Sequence, residues 1–391
     1  MSSALHLTRE QVLSYRRRAG DLDVRRSRDA QTIRRAAWAG LQDSMPRAAL
    51  LSLHARVDGI DPQAWHDPAL VQLWGPRYSA YAVPGQDVAV FTLGRFPEAK
   101  SGGRQANDIA DRLDAFLDGR TMSAGEIGKA LGIHPSALRY AAPTGRVLIR
   151  WDGARRPAVW TVPAPGIEPM AARAELARRY LHAFGPATAA SFAQWAGIRP
   201  PVGKAAFDTL AGALIPVRTP IGEGWVLAEN EPGFHVSAND GDAVRLLPSG
   251  DTYFLLWGAD RELLIPDARR RPELWTSRVW PGALLVGGEV VGIWRRAGAA
   301  VTINPWRRLS PAERNAVEGR PPRCRCPTLE RWSFTGHPDL EGGLDMHVVG
   351  SIHDCRDTSR WPGSRENAPV AAQRVSRCGG RDPRQRGVLQ S

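Results

Sequence analysis

Five arginines between residues 139 and 156 have a clear chemical capacity, which is to bind phosphate. They are Arg139, Arg146, Arg150, Arg155 and Arg156. Each guanidinium is planar, weakly hydrated and able to donate two parallel hydrogen bonds to one phosphate group. The cluster therefore predicts contacts with a nucleic-acid backbone. The alternative is a solvated basic face without a ligand.

The chain as a whole is also basic. Its 391 residues carry a formal net charge of +12, and the pI is about 10.3. Such a field favours polyanionic partners, nucleic acid first and an anionic membrane surface second. No apolar run approaches the roughly 18 residues of a membrane span, and residues 1–18 contain no signal-like apolar core. We therefore expect a cytoplasmic, nucleoid-associated protein that does not bind membranes.

Other kinds of site have little support in the sequence. The histidines show no metal-ligand spacing, and there is no glycine-rich phosphate loop or Rossmann pattern. The cysteines fit no zinc pattern, and all lie at or beyond residue 324: Cys324, Cys326, Cys355 and Cys378. We expect no metal, no cofactor and a body without disulfides.

The elements around the arginine cluster predict a winged helix-turn-helix unit over residues 118–166. Ser123 and Glu126 form a capping box that starts a helix, which ends at Gly132. A second short helix follows over 135–141, and then two strands, over 147–151 and 159–162, joined by a basic hairpin tip. Helix, turn, helix and wing in this order are typical of DNA-binding modules.

The same order of elements is predicted twice more, over residues 1–117 and 167–235. The first of these units has helices over 9–19, 30–41 and 47–57, followed by extended stretches over 78–81 and 88–93. Thr8, with Gln11 three residues on, is predicted to form a capping box at the start of its first helix. The other has helices over 171–184, 191–196 and 203–210, followed by strands over 214–217 and 224–227. Three similar units strengthen the winged-helix interpretation of each.

Residues 243–320 change character and predict a small β-rich domain, a partial barrel. Its strands are expected at 255–257, 283–286, 290–294 and 301–303. Gly287-Gly288 is a tight hairpin turn, and Ser310-Pro311 starts a last helix. Residues 321–391 lose both periodicities and predict a disordered tail or the product of a frameshift. The predicted fold class is α+β: three tandem winged helix-turn-helix units, the β-rich domain and the tail.

Several short strings over about residues 5–320 together resemble the AlkZ/YcaQ-like winged-helix DNA glycosylase family. The strings are GLQDS at 40–44, RAALLSLHAR at 47–56, LW at 73–74 with Arg77, FGPAT at 184–188, WAG at 195–197, LLP at 246–248 with Asp251, and GEVVG at 288–292 with WRR at 294–296. The resemblance implies winged-helix units that form one concave basic surface for double-stranded DNA. It also implies excision of bulky N-alkylated purines, including interstrand crosslinks. We expect a monomer.

The resemblance implies a catalytic role for Gln42, Asp43 and Ser44. Members of the family carry a Gln-x-Gln or Gln-x-Asp pair that holds the attacking water and stabilises the sugar cation. Gln42 matches this pair, whereas Ser44 departs from it. Asp43 carries a charge and could still turn inward if the segment is a loop. The alternative is that Gln42 is a remaining DNA contact, Asp43 a residue near the helix start and Ser44 the N-cap itself.

Three further arginines in the matching strings, Arg47, Arg56 and Arg77, are predicted to contact DNA together with the cluster above. For Arg77, pairing with a buried carboxylate is an equal alternative. Tyr81 stands where relatives commonly carry a histidine. The leading interpretation is a monofunctional DNA glycosylase. A non-catalytic DNA-binding regulator is the second, and a protein-interaction scaffold is the third.

Overall fold

The computed structural model describes residues 5–61, 64–65, 67–153, 156–236, 244–297 and 300–318, and the backbone of 332–334. All of them belong to one unit, residues 1–353, and a second unit, residues 354–391, lies outside the described residues. The predicted tail therefore lies outside them except at Trp332–Phe334. The backbone there forms a strand, so the prediction of a structureless tail does not hold at these three residues.

The described residues form a mixed α+β fold of helices and short strands. The helices are α1 Arg9–Ala19, α2 Ala30–Ala36, α3 Ala48–Arg56, α4 Val88–Thr92, α5 Lys100–Leu117, α6 Ala124–Leu131, α7 Pro169–Phe184, α8 Ala189–Ala196, α9 Pro200–Thr209, α10 Asp260–Leu264, α11 Arg271–Leu274 and α12 Pro311–Glu318. The strands are β1 Leu5–His6, β2 Leu41–Gln42, β3 Leu70–Trp74, β4 Ala80–Pro84, β5 Met122–Ser123, β6 Val147–Arg150, β7 Ala158–Thr161, β8 Leu214–Thr219, β9 Gly222–Leu227, β10 Val244–Leu247, β11 Gly282–Val286, β12 Glu289–Ala297, β13 Ala300–Pro305 and β14 Trp332–Phe334.

Capping residues recognised in the sequence begin and end several helices. Thr8 and Gln11 form a reciprocal capping box at the start of α1. Ser123 and Glu126 do the same at α6, which ends at Gly132 in the left-handed conformation. These local signals are reliable because the cap satisfies backbone N–H groups that have no partner inside the helix.

One six-stranded sheet spans the first two predicted units, in the order β2-β4-β3-β6-β7-β5. Strands β3 and β6 meet at Gln72 and Ile149. Helix α5, expected in the first unit, packs on the second around a core that includes Leu113, Ile127 and Leu138. The boundary predicted at residue 117 therefore differs from the observed packing, since both units share one sheet.

A three-stranded sheet has the order β1-β8-β9, and it joins the N-terminal segment to the third predicted unit. Leu5 pairs in parallel with Val217, and Tyr15 of α1 stacks on Phe234 with ring centroids 3.9 Å apart. Residues 169–227 follow the predicted order of three helices and two strands. The first eighteen or so residues pack with this third segment rather than with the first, where the sequence had suggested they belong.

The last sheet has the order β10-β11-β12-β13-β14, with β10 at one edge and β14 at the other. The predicted hairpin turn at Gly287 and Gly288 joins β11 to β12, and both glycines have positive φ angles, 55° and 86°. Residues 255–257, predicted as a strand, have no strand structure. Closure into a partial barrel remains a prediction.

The run at 88–93, predicted as extended, is instead helix α4 and the turn after it. Val90 and Phe91 are buried, and α4 packs against α7. A short apolar run of this kind is compatible with a buried strand or a buried helix, and tertiary packing decides between them.

Candidate active site and nucleic-acid surface

The segment between β2 and α3 divides its polar side chains between the protein interior and the surface. Gln42 ends β2 opposite Tyr81 of β4, and the N–H of Asp43 continues the pairing by donating to the carbonyl of Ala80 at 2.8 Å. Successive residues of an extended chain point to opposite faces. Gln42 is accordingly half-buried and Ser44 exposed, whereas Asp43 is completely buried.

Asp43 uses both carboxylate oxygens inside the protein. Oδ1 accepts the backbone N–H of Ala49 at 3.0 Å, and Oδ2 accepts Nε2 of Gln72 at 2.6 Å. Burial raises the pKa of Asp43 to about 7, while the two hydrogen bonds act in the opposite direction. The carboxylate therefore supports the first turn of α3 and does not face solvent.

The alternative that Ser44 is the N-cap of α3 does not fit the structure. Arg47 occupies the N-cap position in the left-handed conformation, with φ 61° and without a side-chain cap. Ser44 instead accepts a 2.9 Å hydrogen bond from Nε2 of Gln42. The hydroxyl of Ser44 and the amide of Gln42 thus form one polar pair.

The polar pair has two neighbours that restrict its surroundings. Nη2 of Arg77 lies 3.5 Å from Oε1 of Gln42. A Cβ added at Gly250, whose φ is +75°, would lie 3.3 Å from Cδ of Gln42. Because Nε2 of Gln42 donates to Ser44, Oε1 is the atom that can accept a hydrogen bond from a bound water. The Ser44 hydroxyl keeps its own proton to donate.

Arg77 and Tyr78 occupy a strained turn beside this pair. Both have positive φ angles, 54° and 58°, a conformation that costs energy for residues with a Cβ. Gly197 packs so closely on the Arg77 backbone that a Cβ there would lie 3.0 Å from its N and Cα atoms. The guanidinium of Arg77 lies over the ring of Trp257, with Cζ 3.9 Å from the centroid.

The arginine cluster of the second segment approaches the same turn through Arg139. Its Cζ lies 5.9 Å from the ring centroid of Tyr78 and 5.5 Å from that of Tyr140. The two tyrosines make an edge-on contact at 5.2 Å. Arg156 is exposed, and its Cδ lies 3.2 Å from the position of a Cβ at Gly125, at the start of α6.

Two other members of the cluster already have protein partners. Arg146 forms an ion pair with Asp111 on α5. Arg150 donates to the carbonyl of Trp65 at 2.9 Å. Arg155 lies outside the described residues. Among the described residues, the guanidinium groups of Arg139 and Arg156 have neither a carboxylate nor a carbonyl partner.

Arg56 does not fit the predicted DNA contact. Its guanidinium is 2% exposed and forms a two-point ion pair with Asp251, at 2.7 and 2.8 Å. Asp251 also accepts the hydroxyl of Ser52 at 2.7 Å. Arg56 therefore joins α3 to the segment that follows β10, whereas Arg47 at the other end of the same helix is exposed.

The structure thus brings Gln42, Ser44 and Arg77 together and turns Asp43 and Arg56 into the interior. The sequence analysis missed Trp257 and Gly250, which are distant in sequence and carry no motif of their own. Over the described ranges, no group of three His, Cys, Asp or Glu side chains is arranged to hold a metal ion. No helix in this part of the chain has the length and apolar character to cross a membrane.

Comparisons with known proteins point to one family. The chain matches the family model described as DNA glycosylase AlkZ-like over residues 33–320. It is 24% identical over 246 residues to the interstrand DNA cross-link repair glycosylase of Streptomyces sahachiroi, covering 55% of this chain and 64% of that relative's length. The chain thus spans under two thirds of the curated relative.

A solved structure has a similar fold. The chain resembles Streptomyces sahachiroi DNA glycosylase AlkZ with a TM-score of 0.66, at 19% sequence identity. The similarity covers 81% of this chain and 95% of the solved one. At this identity the similarity concerns the fold alone.

Proposed function

The chain belongs to the AlkZ-like DNA glycosylase family, and from this we propose that it is a winged-helix, monofunctional DNA glycosylase. Its substrate is double-stranded DNA carrying a bulky N-alkylated or crosslinked purine, and it hydrolyses the N-glycosidic bond of that base. The name of the S. sahachiroi relative, an interstrand cross-link repair glycosylase, supports this substrate class. We propose that the protein acts as a monomer in the cytoplasm, at the nucleoid, without a cofactor.

The observation that carries the proposal is the hydrogen-bonded pair of Gln42 and Ser44, partly open to solvent beside Arg77. Hydrolysis of the glycosidic bond passes through a cationic, oxocarbenium-like sugar. A purine alkylated at N7 is positively charged and leaves readily, so little general acid is needed. The enzyme must therefore mainly hold a water at the anomeric carbon and stabilise the positive charge that develops on the sugar. Oε1 of Gln42 would accept a hydrogen bond from that water and orient it, and Ser44 would fix the amide.

The predicted DNA contacts that remain exposed or half-buried would hold the duplex. Arg47, Arg77, Arg139 and Arg156 are the arginines proposed for this role. Half or more of the hydrogen bonds in protein–DNA complexes go to the sugar-phosphate backbone. Backbone contacts of this kind position the duplex without selecting a sequence, which suits an enzyme that must find a lesion anywhere.

A base-release assay tests the proposal. The protein is incubated with a duplex that contains one N7-alkylguanine, and abasic sites are counted after alkaline cleavage. We expect release by the wild type and loss of at least about tenfold in Gln42→Ala, the scale of removing one preorganised polar group. Lack of release by folded, DNA-bound wild type rejects the glycosylase for this lesion. Equal release by both proteins rejects only the role of Gln42.

The placement of Asp43 favours a second candidate, a DNA-binding protein that has lost the chemistry. Its carboxylate points into the protein, and no carboxylate of the described residues hydrogen-bonds Gln42 or Ser44. A site without negative charge stabilises a sugar cation poorly. This candidate predicts tight duplex binding without base release from any N-alkylated purine, so the same assay distinguishes the two.

A further inference from the structure

Two consecutive residues, Leu256 and Trp257, hold two different guanidinium groups beside the candidate site. Trp257 lies under Arg77, at 3.9 Å from Cζ to the ring centroid. The carbonyl of Leu256 accepts Nε of Arg261 at 2.7 Å. Arg261 also lies near the rings of Trp275 and Trp280, at 4.9 and 5.4 Å from their centroids. Each guanidinium is thus held in place by an aromatic surface.

Neither Arg77 nor Arg261 is neutralised by the protein. No carboxylate of the described residues forms an ion pair with either. The acidic neighbours of Arg261 in sequence are used elsewhere, since Asp260 pairs with Arg16 at 2.7 Å and Glu262 lies 3.8 Å from Arg271. Burial lowers the pKa of both arginines, and the charge of Arg77 lowers that of Arg261 further.

Arg270 provides a contrast within the same part of the chain. Its Cζ lies 5.9 Å from the ring centroid of Trp306, and its Nη1 pairs with Glu273 at 2.9 Å. The charge of Arg270 is therefore compensated by a carboxylate of the described residues, unlike those of Arg77 and Arg261. Two half-buried cations that repel each other, with no counter-charge among the described residues, are unfavourable in the free protein, and an anion that contacts both removes this cost.

We propose that Arg77 and Arg261 together bind one phosphodiester group of the DNA strand whose nucleotide is presented to Gln42. The tryptophans fix the guanidinium groups, whose remaining N–H donors can converge on the two free oxygens of a phosphodiester. The strained backbone at Arg77 is consistent with a ligand site, because such strain persists where the surroundings impose it. The proposal deepens the proposed function in its DNA-binding part and does not require the hydrolytic step.

The salt dependence of duplex binding tests this pair. Affinity for a short undamaged duplex is measured by fluorescence anisotropy between about 50 and 200 mM salt, where each neutralised phosphate contributes a slope of about 0.9. We expect Arg261→Gln to lose about fivefold or more in affinity and less than about 0.9 of slope, because Arg77 still contacts the shared phosphate. Arg270→Gln, the matched control, is expected to keep both.

The double variant Arg77→Gln with Arg261→Gln addresses the shared phosphate. If both arginines contact one phosphate, the double variant loses about 0.9 of slope in total, and its loss of affinity is smaller than the product of the two single losses. If each contacts its own phosphate, the slope falls by about 1.8, which rejects the shared site. Thermal melting verifies that each variant is folded. If Arg261→Gln is not folded, Arg261→Lys replaces it. The lysine keeps the positive charge, so this variant should keep the slope and lose affinity.

An unchanged affinity and slope in folded Arg261→Gln overturns the proposal, even if the wild type releases the base. If Arg261→Gln shows the expected losses of affinity and slope while the wild type releases no base, the phosphate site is upheld and the glycosylase is rejected. A third arm exchanges chloride for inorganic phosphate at equal ionic strength. If free phosphate raises the melting temperature of the wild type while Arg261→Gln binds DNA normally, the site takes free phosphate and the proposal fails.

Discussion

The carboxylate of Asp43 accepts a 2.6 Å hydrogen bond from the side-chain amide of Gln72, and this contact connects the candidate site to the hairpin of strands β6 and β7. Oε1 of the same Gln72 accepts the backbone N–H of Trp151 at 2.7 Å. Trp151 begins the hairpin tip that carries Arg156. One glutamine in the centre of the six-stranded sheet therefore links the catalytic candidates to a proposed DNA contact.

The buried Asp43 carboxyl should make stability depend on pH. Its pKa is raised to about 7 in the folded protein, so the native state binds a proton that the unfolded chain has released between about pH 4 and 7. The cost of the buried charge is present above pH 7 and is relieved as the pH falls through that range. Relative to Asp43→Asn, the wild type should gain at most roughly 2.7 kcal/mol between pH 8 and 5, because only the two pH units below 7 contribute.

Urea unfolding of both proteins at several pH values measures this difference, and other titrating groups cancel in the comparison. Asp208→Asn is the control, since Asp208 lies in an exposed ion pair with Lys204. A wild type and Asp43→Asn whose stabilities run parallel from pH 5 to 8 would show that Asp43 titrates in its ordinary range.

Restoring a negative charge at position 44 should increase catalysis. Ser44→Asp recreates the Gln-x-Asp pattern that the family resemblance implies, and places a carboxylate next to the Gln42 amide. We expect base release to rise at least about tenfold, because fixed charge near the developing cation stabilises the transition state. Ser44→Asn has the same size without the charge and should give no increase. A rise in both variants would assign the effect to side-chain size.

The contact between Gly197 and Arg77 should be sensitive to a single methyl group. Gly197 and Gly132 both end helices with positive φ angles, 71° and 65°, but only Gly197 has neighbours that an added Cβ would meet. Gly132→Ala should cost roughly 1–2 kcal/mol, the strain alone. Gly197→Ala should cost more and also weaken duplex binding, since it displaces Arg77. If Gly132→Ala and Gly197→Ala lose equal stability and both bind the duplex normally, Gly197 does not contribute to the function of Arg77.

The buried pair of Arg56 and Asp251 should support stability and not DNA binding. Arg56→Met leaves the Asp251 carboxylate without its counter-charge and should destabilise the protein by about 3–5 kcal/mol. Lys204→Met breaks an exposed pair and should cost no more than about 1 kcal/mol. Unfolding in urea gives both values. If Arg56→Met unfolds normally but binds a duplex weakly, the original prediction of a DNA contact at Arg56 is restored.

The sequence predicted the features that depend on neighbouring residues. The capping boxes at Thr8 and Ser123, the hairpin at Gly287 and Gly288 and the helix order of the third segment all follow from local backbone chemistry. The family resemblance brought attention to the segment of Gln42. These signals involve residues within a few positions of one another, so no long-range contact is needed to recognise them.

The features that were missed depend on tertiary contacts. Arg56 and Arg77 lie in equally promising strings, and only the position of Asp251 makes one of them an internal ion pair. The inward turn of Asp43 follows from its pairing with Ala80 and the donor supplied by Gln72, 29 positions away. Similarly, Trp257 and Arg261 carry no motif, and they reach Arg77 only through the packing of the segment after β10.

The pairing of β1 with β8 has a consequence for the chain during its synthesis. Leu5 is translated more than two hundred residues before its strand partner Val217, and the same holds for Tyr15 and its stacking partner Phe234. Domains tend to fold as they leave the ribosome. Here strand β1 and helix α1 must wait for these partners and can dock only after residues 214–234 have been made.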